Sequence, residues 1–351
     1  MASPGTQTGL RALWTVASAL GVRNLGRVAS YVASQYSDTV LFFREGRNPG
    51  VRGHVSLTID DGLCRSSPDC SLVSEVRSLL REHGARATFF VCSDYLSDLE
   101  ADAQALLMDG HEFGNHMTMD SHKWASGPIE EFIVDLAQCS ITIERLLAAQ
   151  REAGAPASQT GVDWFRAPGG KMTQEMREVI DQRGVRHALG DCYCDDWAIE
   201  DPSFIADTML GQVESGSILI LHMPERGYRE HCLEALRLLL QGLATRGLHC
   251  VTLSQLVSLA EGPAEQSGAI GEPCDVEESD EGLTHAASAP DPPAGASRDM
   301  EESGEGLAYA ANAPDPPAGS SRDMALSGEG LTHAANAPDP PAKASRDMEE
   351  S

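Results

Sequence analysis

Residues 54–63 read HVSLTIDDGL, an apolar run that ends on two adjacent carboxylates and a glycine. Val55, Leu57 and Ile59 give the first six residues the character of a buried strand. Asp60 and Asp61 then repel one another, and each resists desolvation unless positive charge is close. Taken alone, the ten residues are explained equally well by a solvated Asp-Gly turn. The residues at the ends of the other strands decide between these readings.

Seven strand-like runs alternate with helical patterns between residues 54 and 260: 54–59, 87–92, 111–115, 162–166, 185–190, 217–221 and 248–253. Helical spacing is clearest over 128–149, where Ile129, Phe132, Ile133 and Leu136 share a face that Leu146 and Leu147 extend. Gly84 and Gly110 stand where helices should stop. Such alternation predicts a parallel sheet covered by helices. Seven strands over this length suit a small or incomplete α/β barrel better than an open doubly wound sheet.

In either architecture, sites gather at the C-terminal ends of the parallel strands. The residues found there are Asp60 and Asp61 after the first run, His116 and Asp120 after the third, and Arg166 after the fourth. Asp195, Asp196 and Trp197 come after the fifth, and His222 ends the sixth. One ionisable residue at a strand end is ordinary. Five groups on one rim are hard to explain as solvation.

A divalent ion between Asp61, His116 and Asp120 would remove the repulsion at the acidic pair. His116 and Asp120 are four apart, a spacing at which one helical turn presents both side chains together. Three protein ligands with an open position is the plan of a catalytic metal site. Asp60 then serves as general base toward water, Arg166 orients it, and His222 protonates the leaving group. The reading is a metal-assisted hydrolase.

The set resembles the polysaccharide deacetylase family, the NodB-homology domains of carbohydrate esterase family 4, which includes chitin deacetylases. The matching segments, in the family's order, are TIDDG (58–62), HMTMD (116–120), RAPG (166–169), DDW (195–197) and LILH (219–222). The resemblance spans about residues 50 to 260 and implies a distorted (β/α)7-type barrel that removes acetyl groups from N-acetylated glycans. Carried over by position, Asp60 is the base, Asp61 and His116 bind metal, Arg166 orients the base, and Asp196 tunes His222. Trp197 and Leu221 wall the acetyl pocket, with Gly169 in the substrate cleft.

Two departures matter. Asp120 stands where the family usually has histidine. Zn2+ is the ion the family implies, and the hard oxygen of Asp120 shifts the expectation toward Mn2+, Mg2+ or Co2+. His122 is near in sequence but off the helical face of His116. Gly169 and Gly170 replace an aromatic residue of the third segment, which implies a more open cleft. A hydrolase of another small C–N amide keeps the same chemistry, whereas a carbohydrate-binding pseudoenzyme would have no use for an acid and a base.

The remaining sequence divides into residues 1–50, with helical character around ALWTVASALGV (12–22), a body over 51–260, and an acidic Pro-rich tail over 261–351. Three copies of a 24-residue unit occupy 279–302, 303–326 and 327–350, each built around APDPPA. These units are too poor in large apolar residues to offset their chain entropy, so disorder is expected. The tail carries a net charge of −16 and the other 260 residues −11, so no nucleic-acid partner is expected. A role of the repeats as an interaction tail is the weaker reading, and their partners are unknown. No run approaches the roughly 18 apolar residues of a membrane span. The 12–22 stretch makes a poor secretory signal, which leaves cytoplasmic placement and secretion by a weak signal both open. Nine widely spread cysteines resemble neither a disulfide frame nor a thiolate zinc site. Removing residues 263–351 should leave the melting temperature within about 2 °C and any hydrolase activity unchanged, by thermal melts and assay of both chains.

Overall fold

The computed structural model describes residues 2–19, 39–154 and 159–262, so the repeats lie outside the described residues. All seven expected strands form: β1 (His54–Gly62), β2 (Ala87–Val91), β3 (Glu112–Asn115), β4 (Trp164–Phe165), β5 (Arg186–His187), β6 (Ile218–His222) and β7 (His249–Val251). They pair in the order β5-β4-β3-β2-β1-β6, with every pairing parallel. Ser56 faces Ile218 of β6 on one edge of β1 and Val251 of β7 on the other. β7 therefore shares an edge of β1 with β2, β7 taking residues 54–56 and β2 residues 57–62. Beyond β5, a parallel bridge from Cys192 to Leu219 brings the chain back to β6. The result is a distorted, partly closed (β/α) barrel rather than an open doubly wound sheet.

Helices fill the connections: α1 (Pro4–Ala19), α2 (Val73–Glu82), α3 (Glu100–Met108), α4 (Ile129–Glu152), α5 (Gln174–Gln182), α6 (Pro202–Gln212), α7 (His231–Thr245) and α8 (Leu253–Glu261). Their boundaries are written locally. Thr173 and Asp201 cap the first turns of α5 and α6, and Thr252 with Gln255 forms a capping box on α8. Gly84 and Gly110, just past α2 and α3, adopt φ of 60° and 85°, the left-handed geometry that stops a helix. None of these helices is long and apolar enough to cross a membrane.

β1 runs three residues further than its apolar text suggests. Asp60 and Asp61 are part of the strand and buried, at 6% and 3% exposure, so the solvated turn is excluded. The strand continues because the backbone finds partners: Met223 N donates to Asp60 O, and Cys92 N donates to Gly62 O. Register with β2 shifts between Ile59 and Gly62, and Asp61 sits at φ 59° in this bulge. A bulge turns a side chain that regular pleating would have aimed elsewhere.

Behind the rim, Leu57, Ile59, Phe89 and Phe113 pack with the inner faces of α2, α3 and α7. Gly114 marks a close approach, since a Cβ there would lie 2.7 Å from the Phe90 ring. That ring supports the Arg166 guanidinium, 4.0 Å from its centroid. Gly114→Ala should therefore destabilise the fold by about 1–3 kcal/mol through overpacking. Urea unfolding would read this as a lowered midpoint; an unchanged midpoint would mean the ring can move aside.

Candidate active site and metal centre

The residues singled out from strand ends converge on one rim of the barrel. Arg166, at the end of β4 and 2% exposed, is the hub. Its Nη1 donates to Asp60 Oδ1 at 2.5 Å and to Thr58 Oγ1 at 2.8 Å. Its Nε and Nη2 donate to the carbonyls of Ala188 (3.0 Å) and Leu189 (3.2 Å), just past β5. Its own carbonyl accepts from His116 Nδ1 at 2.8 Å. One arginine thus fixes the position of Asp60 and the ring of His116.

Asp60 and His222 are direct partners across β1 and β6. His222 is oriented by Asp196, which accepts from His222 N at 2.7 Å and from Nδ1 at 2.8 Å. Burial works against charge on both groups. The imidazolium nevertheless holds the Asp196 carboxyl below its usual range, and Asp196 raises the His222 pKa against the neighbouring charge of Arg229.

Asp61, His116 and Asp120 place ligand atoms within 4.8 Å of one another. Asp61 Oδ2 is taken by Arg229 Nη1, while Oδ1 is buried without a hydrogen bond, 3.5 Å from His116 Nε2. Because His116 Nδ1 faces a carbonyl, it carries the proton of the neutral ring and Nε2 keeps a lone pair. Two buried lone-pair atoms facing each other call for positive charge between them. Burial lowers the His116 pKa, but its contact with Asp61 and the charges of Asp60, Asp61 and Asp120 carry it up to about 9, so a proton on Nε2 meets that demand and a bound cation would displace it. The donor set of two carboxylates and one imidazole fits a divalent cation.

The route by which His116 and Asp120 meet differs from the helical turn expected. Residues 116–121 form a loop, and Met117 adopts φ 68°. Asp135 of α4 holds that loop by accepting from Thr118 N (2.9 Å) and Thr118 Oγ1 (2.8 Å). Side-chain acceptors that capture the backbone in this way displace helix. His122 stays out of the group. Its ring covers Gly169, where a Cβ would lie 2.2 Å from His122 Nε2 and φ is 60°. Trp197 is half-buried and donates to Asp195 Oδ1 at 3.2 Å, while Leu221 is buried in β6 opposite Ile59.

The strand-end reading missed two arginines. Arg229 holds Asp61, and Arg65 donates to Asp120 Oδ2 at 2.9 Å. Arg65 also reaches the hydroxyls of Tyr95 (3.0 Å) and Tyr228 (3.2 Å), and Glu225 accepts from the backbone N–H groups of Arg65 and Ser66. A signal existed, since Arg65 lies four residues after Asp61 and Arg229 seven after His222. Reading each loop further would have included both. The eight cysteines described are free, and none belongs to the ligand group.

A parallel barrel whose rim sets a carboxylate–arginine pair and a carboxylate–imidazole pair beside an Asp–His–Asp group defines a hydrolase acting on non-peptide carbon–nitrogen bonds. Residues 47–188 match the polysaccharide deacetylase family. It is 27% identical over 203 residues to a chitooligosaccharide deacetylase of Azorhizobium caulinodans, covering 55% of this chain and 89% of that protein. It is 28% identical over 206 residues to a peptidoglycan-N-acetylglucosamine deacetylase of Bacillus cereus, covering 58% and 87%. The fold matches the peptidoglycan deacetylase PdaC from Bacillus subtilis with a TM-score of 0.51, at 22% identity over 60% of this chain and 93% of that one. Replacing Arg166 by Met should destabilise the protein by about 3–5 kcal/mol, because Asp60 would be left buried and unpaired. Guanidinium-chloride unfolding of Arg166→Met and of the Arg166→Met, Asp60→Leu pair checks this, the pair recovering much of the loss.

Proposed function

We propose that this protein removes acetyl groups from N-acetylated glycans of the chitin or chitooligosaccharide type, using one divalent ion. The observation that carries the reading is the pairing of Asp60 with His222 across β1 and β6, each fixed by its own partner, beside the Asp61–His116–Asp120 group. The named activities of the relatives support the substrate class. Asp61, His116 and Asp120 would hold the ion. When bound, it supplies Lewis acidity toward the acetamide carbonyl and toward water.

The rest of the chemistry belongs to the chain. Asp60, aimed by Arg166, takes the proton of the attacking water. His222 gives its Nε2 proton to the departing sugar nitrogen, and Asp196 stabilises the imidazolium that this role requires. Trp197 and Leu221 flank the acetyl group, and Gly169 leaves room for the sugar. Zn2+ is the ion that the family resemblance implies. The carboxylate of Asp120 adds a hard oxygen, which improves the standing of Mn2+, Mg2+ and Co2+.

Acetate release from a panel of N-acetylglucosamine oligomers, with and without chelator, tests the reading. Asp60→Asn should lower turnover by roughly 10²- to 10⁴-fold with metal content unchanged. Asp61→Asn should lose metal first and recover part of its activity in excess metal. Full turnover in Asp60→Asn would remove it as the base. Glycan binding without turnover in the unaltered chain would make the protein a carbohydrate-binding pseudoenzyme.

A further inference from the structure

The two aspartates after β5 divide their contacts, and only Asp196 has a part in the chemistry above. Asp195 takes one indole N–H on each carboxylate oxygen: Trp197 Nε1 on Oδ1 at 3.2 Å and Trp14 Nε1 on Oδ2 at 3.0 Å. Trp14 belongs to α1, 181 positions away in sequence, and is 4% exposed. Its ring meets Tyr193 edge-on at a centroid distance of 5.4 Å. Three residues earlier, Arg11 pairs with Asp201 at 3.0 Å and lies over the Phe204 ring at 4.9 Å. Helix α1 is thus fixed to the 193–204 segment at two levels, and the deeper of them ends on the carboxylate that holds Trp197.

Asp195 also has an unusual backbone, with φ 28°. A non-glycine residue stays in that region only where its surroundings enforce it. Ala198 N and Ile199 N donate to its carbonyl at 2.9 Å, and the two indoles hold its side chain. A carboxylate anchored by two donors has one orientation. Remove one donor, and the other indole loses the fixed acceptor against which it is aligned.

We infer that Trp14 is a positioning residue for Trp197, which makes helix α1 part of the wall of the substrate site. The inference rests on the proposed place of Trp197 beside the acetyl group. A helix docked for stability alone would affect melting and leave substrate affinity unchanged. A helix that sets Trp197 through Asp195 affects affinity even when the fold is intact. Its effect must also vanish once Asp195 can no longer hold two indoles.

The test uses the full chain carrying Trp14→Phe, Asp195→Asn, Trp197→Phe or the Trp14→Phe, Asp195→Asn pair. Phenylalanine keeps the ring against Tyr193 and deletes only the N–H. Asparagine keeps the shape but offers a single acceptor oxygen. Trp14→Phe should raise KM for an N-acetylglucosamine oligomer by about three- to ten-fold, the range for one lost hydrogen bond, and lower kcat by less than about two-fold. The double variant should be no worse than Asp195→Asn, because both changes act through one carboxylate. Separately, 5-fluorotryptophan labelling of the chain gives one 19F resonance for each of its four tryptophans. Trp14→Phe should move the Trp197 resonance and leave those of Trp124 and Trp164 in place. Unchanged KM with an unmoved Trp197 resonance would overturn the inference, as would fully additive losses in the double variant. A chain that neither deacetylates nor binds glycan would sink the functional reading instead, and the fluorine shift would then decide the indole coupling on its own.

Discussion

The contact on which the site depends is the buried ion pair between Arg166 and Asp60. Its guanidinium lies on the Phe90 ring, and its donors are spent on Asp60, Thr58 and two carbonyls beyond β5. Few of its donors are left unsatisfied, which is the condition under which a buried charge is tolerable. Because the same residue's carbonyl accepts from His116, the alignment of β4 against β1 and β3 sets Asp60 and His116 together. An error in that alignment would displace both.

Charge compensation of this kind extends around the rim. Asp60 is paired with Arg166, Asp61 with Arg229, Asp120 with Arg65 and Asp196 with His222. Four carboxylates brought so close would not stay charged without compensation. Giving each its own cation keeps the carboxylates charged side by side. It also leaves Asp61 with one oxygen committed to Arg229 and the other, Oδ1, turned toward His116. A carboxylate divided in this way is an oriented single-oxygen donor, the kind of alignment that outer contacts confer on metal ligands.

The barrel was legible because its strands are written as short apolar runs separated by helical spacing, and that periodicity survives without tertiary information. The site was legible in part for a related reason: parallel strands collect their C-terminal ends on one rim, so listing those ends assembled Asp60, Asp61, His116, Asp120, Arg166, Asp196 and His222. Local conformation was less readable. A spacing of four suggested a helical turn for His116 and Asp120, but Asp135 captures the loop and Met117 reverses it. Acid at the end of β1 was, taken alone, equally consistent with a solvated turn, whereas the backbone there stays paired. Trp14 was invisible because its partner lies 181 positions away, beyond any local pattern.

Gly169 has a consequence for how this cleft can change. The imidazole of His122, arriving from the loop after β3, occupies the volume into which a side chain at 169 would project. The backbone there is left-handed as well, a conformation that β-carbons oppose. An aromatic residue of the family's usual kind at 169 would meet the histidine ring and an unfavourable backbone together, so the ring would have to turn aside to admit it. The two positions are therefore coupled: a side chain at 169 requires the His122 ring to move as well as a left-handed backbone to be tolerated.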